Sequence, residues 1–250
     1  MLTSYGLARG FGLQANYYVG ILRFGQIFVQ PTQPTAVPVA YFDTTYHSFS
    51  VGPTYALTPT DIVSVNYEPT LNYLSGQGQD RHFTTQGVIA QYVRTTPHWT
   101  ATIRGGAVAL DVGNNVFFSG GVSLTGSLDP STRVRVTISR KVTPGYYASG
   151  AATLSDTAGL YIDHKISRLL TFTVGGSYGH GTQQPVEILK YTSYQATALL
   201  RYQVTRLIST SLSYDYSFYK YEVPAISEVP ASGYSFPRNL VMLSLTTTWK

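Results

Sequence analysis

The stretch LISTSLSYDYSFYKY, Leu207–Tyr221, decides the fold. Its even positions read Ile208, Thr210, Leu212, Tyr214, Tyr216 and Phe218, while the odd ones read Ser209, Ser211, Ser213, Asp215 and Ser217. A period of two held this long is a β-strand with one oily and one small polar face. After a Pro- and Gly-bearing loop, Val223 to Pro237, the pattern returns in a last strand: Val241, Leu243, Leu245, Thr247 and Trp249 alternate with Met242, Ser244, Thr246 and Thr248. Strands of about ten residues built this way suit a tilted crossing of a bilayer. A soluble core would not be lined with Ser and Thr, so the expectation is a transmembrane β-barrel that closes on its last strand.

The totals agree with that reading. Charged residues make up 12% of the 250-residue chain, against about 25% for an ordinary soluble domain. Tyr (21) and Gly (23) are abundant instead, and mean hydropathy is −0.01. No window approaches the roughly 18 to 20 apolar residues of a membrane-spanning helix. Insertion into lipid therefore has to use strands, and closure satisfies their backbone groups. Barrels of this length fold as one unit, so residues 1–250 are expected to form a single domain. The absence of cysteine excludes disulfides and thiolate chemistry. Net charge is +5 with a pI near 9.3. The densest basic group is Arg133, Arg135, Arg140 and Lys141, which lacks the interleaved aromatics of a nucleic-acid site. Met1-Leu-Thr-Ser4 carries neither the basic start nor the apolar run of a secretory signal, so an exported mature form or part of a longer product is expected.

Turn signals recur at nearly constant spacing. From Pro59 to Pro97, Pro130, Ser167 and Thr205 the steps are 38, 33, 37 and 38 residues. Each step holds two strands and two connections. Looser connections lie between them, at Gln30–Tyr46, Ser75–His82, Asp111–Asn115, Thr143–Gly150, Thr182–Lys190 and Val223–Pro237. Alternating tight periplasmic turns with longer extracellular loops gives an all-β, antiparallel up-and-down barrel of about twelve strands. The strands are expected at 12–29, 46–57, 62–74, 83–95, 99–110, 115–128, 132–142, 151–166, 169–181, 190–204, 206–221 and 239–249.

Alternation also assigns the faces. Leu170, Phe172, Val174 and Tyr178 should meet lipid, as should Val134, Val136 and Ile138. Trp99, after a tight turn, and Trp249, on the last strand, fit one interfacial aromatic girdle; Tyr214, Tyr216 and Phe218, with Tyr219 and Tyr221, fit the other.

The alternating strand ending in Val241, Leu243, Leu245 and Trp249 resembles the C-terminal signal of bacterial outer-membrane barrels, although here Lys250 follows the aromatic. The tract Tyr55-Ala-Leu-Thr-Pro-Thr-Asp-Ile-Val-Ser-Val-Asn-Tyr67 and the turn-and-strand units after it look like the porin-type barrels encoded with exopolysaccharide export loci. The resemblance implies an outer-membrane location and a transport role, with outer-membrane lipid and either periplasmic export components or an anionic polysaccharide as partners.

Function is sought on the inner face. By alternation Arg104, Arg133, Arg135, Lys141, Lys165 and Arg201 point into the lumen, against Glu68, Asp163 and Asp215. Such an excess of cations in a passage lined by Ser119, Gly121, Ser123, Thr125 and Ser127 attracts anions. Two outcomes stay open: the charges pair across strands and fill the interior, or they stay free and conduct small or extended anionic solutes such as acidic saccharides. A closed structural or interaction barrel with ligand-binding extracellular loops is the alternative, and a lipid-acting outer-membrane enzyme is a third reading. Outer-membrane phospholipases use Ser, His and Asn, but Ser177 and His180 fall on opposite faces here, so no catalytic residue is assigned. No spacing suits a metal site, and no cofactor is expected. The mid-strand pairs Gly105-Gly106, Gly120-Gly121 and Gly175-Gly176 either widen a pore or relieve strain where the sheet bends.

Overall fold

The computed structural model describes residues 2–8, 10–23, 43–76, 79–144, 152–184, 189–205, 207–223 and 232–247. Among the described residues these form thirteen strands. They are β1 (Leu2–Ala8), β2 (Phe11–Leu22), β3 (Asp43–Ala56), β4 (Asp61–Gly76), β5 (Gln79–Thr95), β6 (Trp99–Leu110) and β7 (Asn115–Ser127). There follow β8 (Thr132–Pro144), β9 (Ala152–Lys165), β10 (Leu170–Gln184), β11 (Lys190–Gln203), β12 (Ile208–Val223) and β13 (Ser232–Thr247). All belong to one sheet, ordered β1 to β13 as in the sequence, and every neighbour pair is antiparallel. This is the up-and-down architecture of an outer-membrane barrel. Among the described residues the ladder includes no β1–β13 pair.

The twelve expected strands are β2 to β13, and β1 precedes them. The hairpin that adds it turns at Gly10, whose φ of 86° is open to glycine at little cost. The first expected strand, 12–29, ends at Leu22, and most of the Gln30–Tyr46 loop lies outside the described residues. Strands run further into the expected connections than the sequence implied. Asp80, Arg81 and His82 belong to β5, and Pro237 lies within β13 opposite Phe218. A proline is tolerated there because the missing N–H falls on a strand that pairs on one side among the described residues. The Asp111–Asn115 connection is a single 3-10 turn, Val112–Asn114, closed by Asn114 at φ 50°.

The tight turns fall where the spacing put them, between β3 and β4, β5 and β6, β7 and β8, β9 and β10, and β11 and β12. Oily rows stand exposed on several strands: Val116, Phe118 and Val122 on β7, Leu212 and Tyr214 on β12, and Val241, Leu243 and Leu245 on β13 are all open. In water such a surface would be a liability; in lipid it is solvated.

The mid-strand glycines serve packing. A Cβ on Gly106 would collide with the Val88 carbonyl of the neighbouring strand, and one on Gly175 with the Tyr161 ring that lies over it. Close approach of backbone and ring, which only glycine permits, lets the sheet curve.

Candidate inner-face site

Cross-strand register fixes which side chains share the inner face of β8 to β12. One row runs Arg135, Tyr161, Gly175, Thr197, Asp215. The next, nearer the tight turns, runs Arg133, Asp163, Thr173, Leu199, Ser213, and the last runs Lys165, Thr171, Arg201, Ser211. Hydroxyls and cations thus dominate three consecutive rows at the tight-turn end.

The acids of this wall are already satisfied. Thr173 donates its hydroxyl to Asp163 Oδ1 at 2.6 Å, and the Thr197 hydroxyl bonds Asp215 Oδ1. Arg133 stands opposite Asp163, yet among the described residues no carboxylate lies within ion-pair distance of Arg133, Arg135, Lys165 or Arg201. All four are exposed. Uncommitted guanidinium and ammonium groups above hydroxyls can bind a passing carboxylate, sulfate or phosphate in succession.

The remaining charges behave differently. Arg104 donates from Nη2 to Glu68 Oε2 at 2.8 Å, with both side chains about a third exposed, so this pair is internally compensated. Lys141 sits farther toward the long loops, opposite Ser155, and is exposed. Arg140, in the densest basic group, faces outward and is held by Asp156 through two bonds of 2.6 Å.

The aromatic assignments divide. Trp99 packs across Gly126 at the tight-turn rim, and Trp249 lies outside the described residues. Tyr214, Tyr216 and Phe218 face outward; Phe218 continues a row with Tyr178 and Tyr194, their ring centroids 5.4 and 6.4 Å apart in sequence. Tyr219 and Tyr221 do not join that girdle. Strict alternation beside an outward Phe218 turns both inward, where they meet Phe236 of β13. The change from Ser217 to Tyr219 in the inner row was the sequence signal for this.

Also missed was a packed inner wall on β4 to β7. Leu74, Phe83, Ile89 and Leu110 are buried there; Leu74, Phe83 and Leu110 cluster with Ala152 of β9, and Phe117 of β7 and Val142 of β8 pack against them. The bulky residues lie on the face that elsewhere carries Ser and Thr.

Ser177 and His180 lie on opposite faces: Ser177 donates to Gln195 Oε1 at 3.5 Å, while His180 Nδ1 is 3.3 Å from the Thr192 hydroxyl. His164 on the outer face meets the Thr132 hydroxyl at 3.0 Å. Among the described residues no three His, Asp or Glu side chains converge as a metal site.

Comparison with known proteins agrees with this architecture. Residues 118–248, just over half of the chain, match the family described as "Putative beta-barrel porin 2". Among solved structures, the FrpB iron transporter of Neisseria meningitidis superposes with a TM-score of 0.52 at 6% identity, over 90% of this chain and 47% of that one. The copper transporter OprC gives 0.48 at 10% identity over 94% and 53%, and the ferric enterobactin receptor PfeA of Pseudomonas aeruginosa 0.42 at 12% over 100% and 53%. The chain spans about half the length of these structures, and the likeness to FrpB is one of fold. No curated protein matches the sequence. With the family match covering the region that holds the cation rows, the chain belongs to the "Putative beta-barrel porin 2" family and is a β-barrel of the bacterial outer membrane.

Proposed function

We propose that this barrel passes small or extended polar anions, acidic saccharides among them, along the inner wall of β8 to β12. One observation carries the reading: Arg133, Arg135, Lys165 and Arg201 are exposed on consecutive inner rows while Asp163 and Asp215 are bonded to threonine hydroxyls. Unpaired cations in a confined wet passage raise the local anion concentration and lower the barrier to entry. Outer-membrane lipid surrounds the barrel, and periplasmic export components or an anionic polysaccharide are its proposed partners.

Reversal potentials in planar bilayers under a KCl gradient test this. The native chain is expected to prefer chloride, and Arg133→Glu combined with Arg135→Glu and Arg201→Glu to shift the preference toward potassium. Cation preference in the native chain overturns the role given to the arginines. A second reading, a structural or interaction barrel with a closed lumen, is favoured by the buried Leu74, Phe83, Ile89 and Leu110 on the inner wall. Absence of any ion current would establish it instead of the conduit.

A further inference from the structure

The inner row of β12 changes character along its length. From the tight turn it reads Ser209, Ser211, Ser213, Asp215, Ser217, and then Tyr219 and Tyr221. The rings that follow are grouped. Tyr219 and Phe236 have centroids 5.3 Å apart and planes inclined by 29°; Tyr221 and Phe236 lie 6.0 Å apart at 12°; Tyr219 and Tyr221 lie 6.4 Å apart at 22°. Tyr191 of β11 continues the surface, 6.2 Å from Tyr221 at 38°. Its ring is laid over Gly181, where a Cβ would collide with it, and its hydroxyl is 3.3 Å from Ser155 Oγ.

Lipid does not explain these rings, since the outward girdle of the same strands is formed by Tyr178, Tyr194 and Phe218. They stand instead at the long-loop end of a polar wall, with their planes nearly aligned and Phe236 42% exposed. Polar groups border them. Gln195 Nε2 donates to the Tyr219 hydroxyl at 3.3 Å, Ser193 faces Tyr219 in register, and Lys141 closes the row of Ser155, Gly181, Tyr191 and Tyr221. Flat apolar rings edged by hydroxyl, amide and ammonium groups match a molecule with an apolar ring face and a polar rim. A hexopyranose is such a molecule: its axial C–H bonds present a weakly positive face to the negative face of an aromatic ring, and its hydroxyls lie around the edge.

We propose that Tyr191, Tyr219, Tyr221 and Phe236 form a saccharide-binding subsite at the long-loop mouth, stacking on pyranose rings, with Lys141 receiving the carboxylate of an acidic sugar. This deepens the conduit reading and rests on it for direction of travel, but binding itself does not require an ion current. The acidic sugar engages the rings first and then meets Arg135, Arg133, Arg201 and Lys165 toward the tight turns.

The test uses the full chain in detergent and in planar bilayers, with hexagalacturonate and the neutral maltohexaose as probes. Titration calorimetry is expected to show hexagalacturonate binding to the native chain, weakened about tenfold by Tyr219→Ala with Phe236→Ala. Tyr219→Phe should retain the affinity. Tyr219→Leu, which keeps bulk without the ring, should lose it. Lys141→Gln should narrow the preference for the acidic over the neutral probe. In bilayers the native channel should show sugar-induced interruptions that shorten by the same factor in the ring variants, while the reversal potential stays put. No binding of either probe to the native chain overturns the subsite, as does equal affinity in the native chain and the Tyr219→Leu variant. A chain that binds hexagalacturonate but prefers cations refutes the anion-conduit reading and leaves the subsite standing.

Discussion

The inner walls of β4 to β7 and of β8 to β12 belong to one sheet and follow one alternation, yet they are made of different material. On the first, Ile89 and Leu110 are 1% exposed, and Asn66 and Asn72 are buried beside them, Asn66 accepting from Gln14 Nε2 at 2.7 Å. On the second, Arg133, Arg135, Lys165 and Arg201 are exposed among Ser and Thr. Alternation only requires that the outer row be apolar; it leaves the inner row free. A wall whose inner row is bulky contributes stability by packing, whereas one whose inner row is short and hydroxylated contributes a wet surface. A packed arc and a wet arc therefore share the same ribbon, and the proposed conduction falls to the wet one.

The sharpest way to break this comparison is to exchange the materials. Leu110→Asp places a charge without a partner in the packed wall, and the chain is expected not to fold, read as loss of the compact band in unheated SDS gels. The milder Leu110→Ala should cost about 2 to 5 kcal/mol in urea unfolding from vesicles, while Ser217→Ala on the inner row of β12 should stay within about 0.5 kcal/mol. Equal costs at the two positions would mean that the walls are not distinct.

A smaller effect is expected at the ion pair inside the first wall. Arg104 of β6 reaches Glu68 of β4 at 2.8 Å, and both groups are partly solvated, so Arg104→Ala should cost about 1 kcal/mol. Adding Glu68→Gln should recover most of that loss, because the cost lies in the unpaired carboxylate. A double variant no more stable than Arg104→Ala would place the loss in the packing of the Arg104 stem instead.

Much of this was legible in the residues. Clean alternation in Leu170–Tyr178 and in Leu207–Tyr221 fixed both strand and face, because a slip of one residue would turn every oily side chain into the lumen. Turn spacing located the tight turns because Pro59, Pro97 and Pro130 punctuate the chain directly. The packed wall was not legible: Leu74, Ile89 and Leu110 each follow an apolar residue of the other face, Tyr73, Val88 and Ala109, which blurs period two, and Phe83 stands alone between His82 and Thr84. Nor was the freedom of the arginines, since whether Asp163 pairs with Arg133 or with Thr173 depends on distances that register alone does not set. The inward turn of Tyr219 and Tyr221 could have been read by counting from Phe218, but a cluster of aromatics near a strand end invites the girdle interpretation first.

The smallest effect belongs to the turn that joins the two walls, Leu128–Ser131 between β7 and β8. Asp129 Oδ1 accepts from the backbone N–H of Ser131 at 2.7 Å and of Thr132 at 2.8 Å, which closes the turn from its own side chain. Hydrogen bonding by Thr132 and by the Ser131 N–H holds the Asp129 carboxyl below the ordinary Asp range. A depressed folded-state value means that the carboxylate stabilises the fold above the unfolded value of about 3.9, and that this contribution is lost as pH falls through the lower folded value. The native chain should therefore unfold at slightly higher urea than Asp129→Asn at neutral pH, with the gap closing in acid below about pH 4. A gap that persists in acid would show that the turn acts through shape alone. A gap as large as that of Leu110→Ala would mean that this turn sets the register of the whole wet wall, and the two walls would then be coupled through their shortest connection.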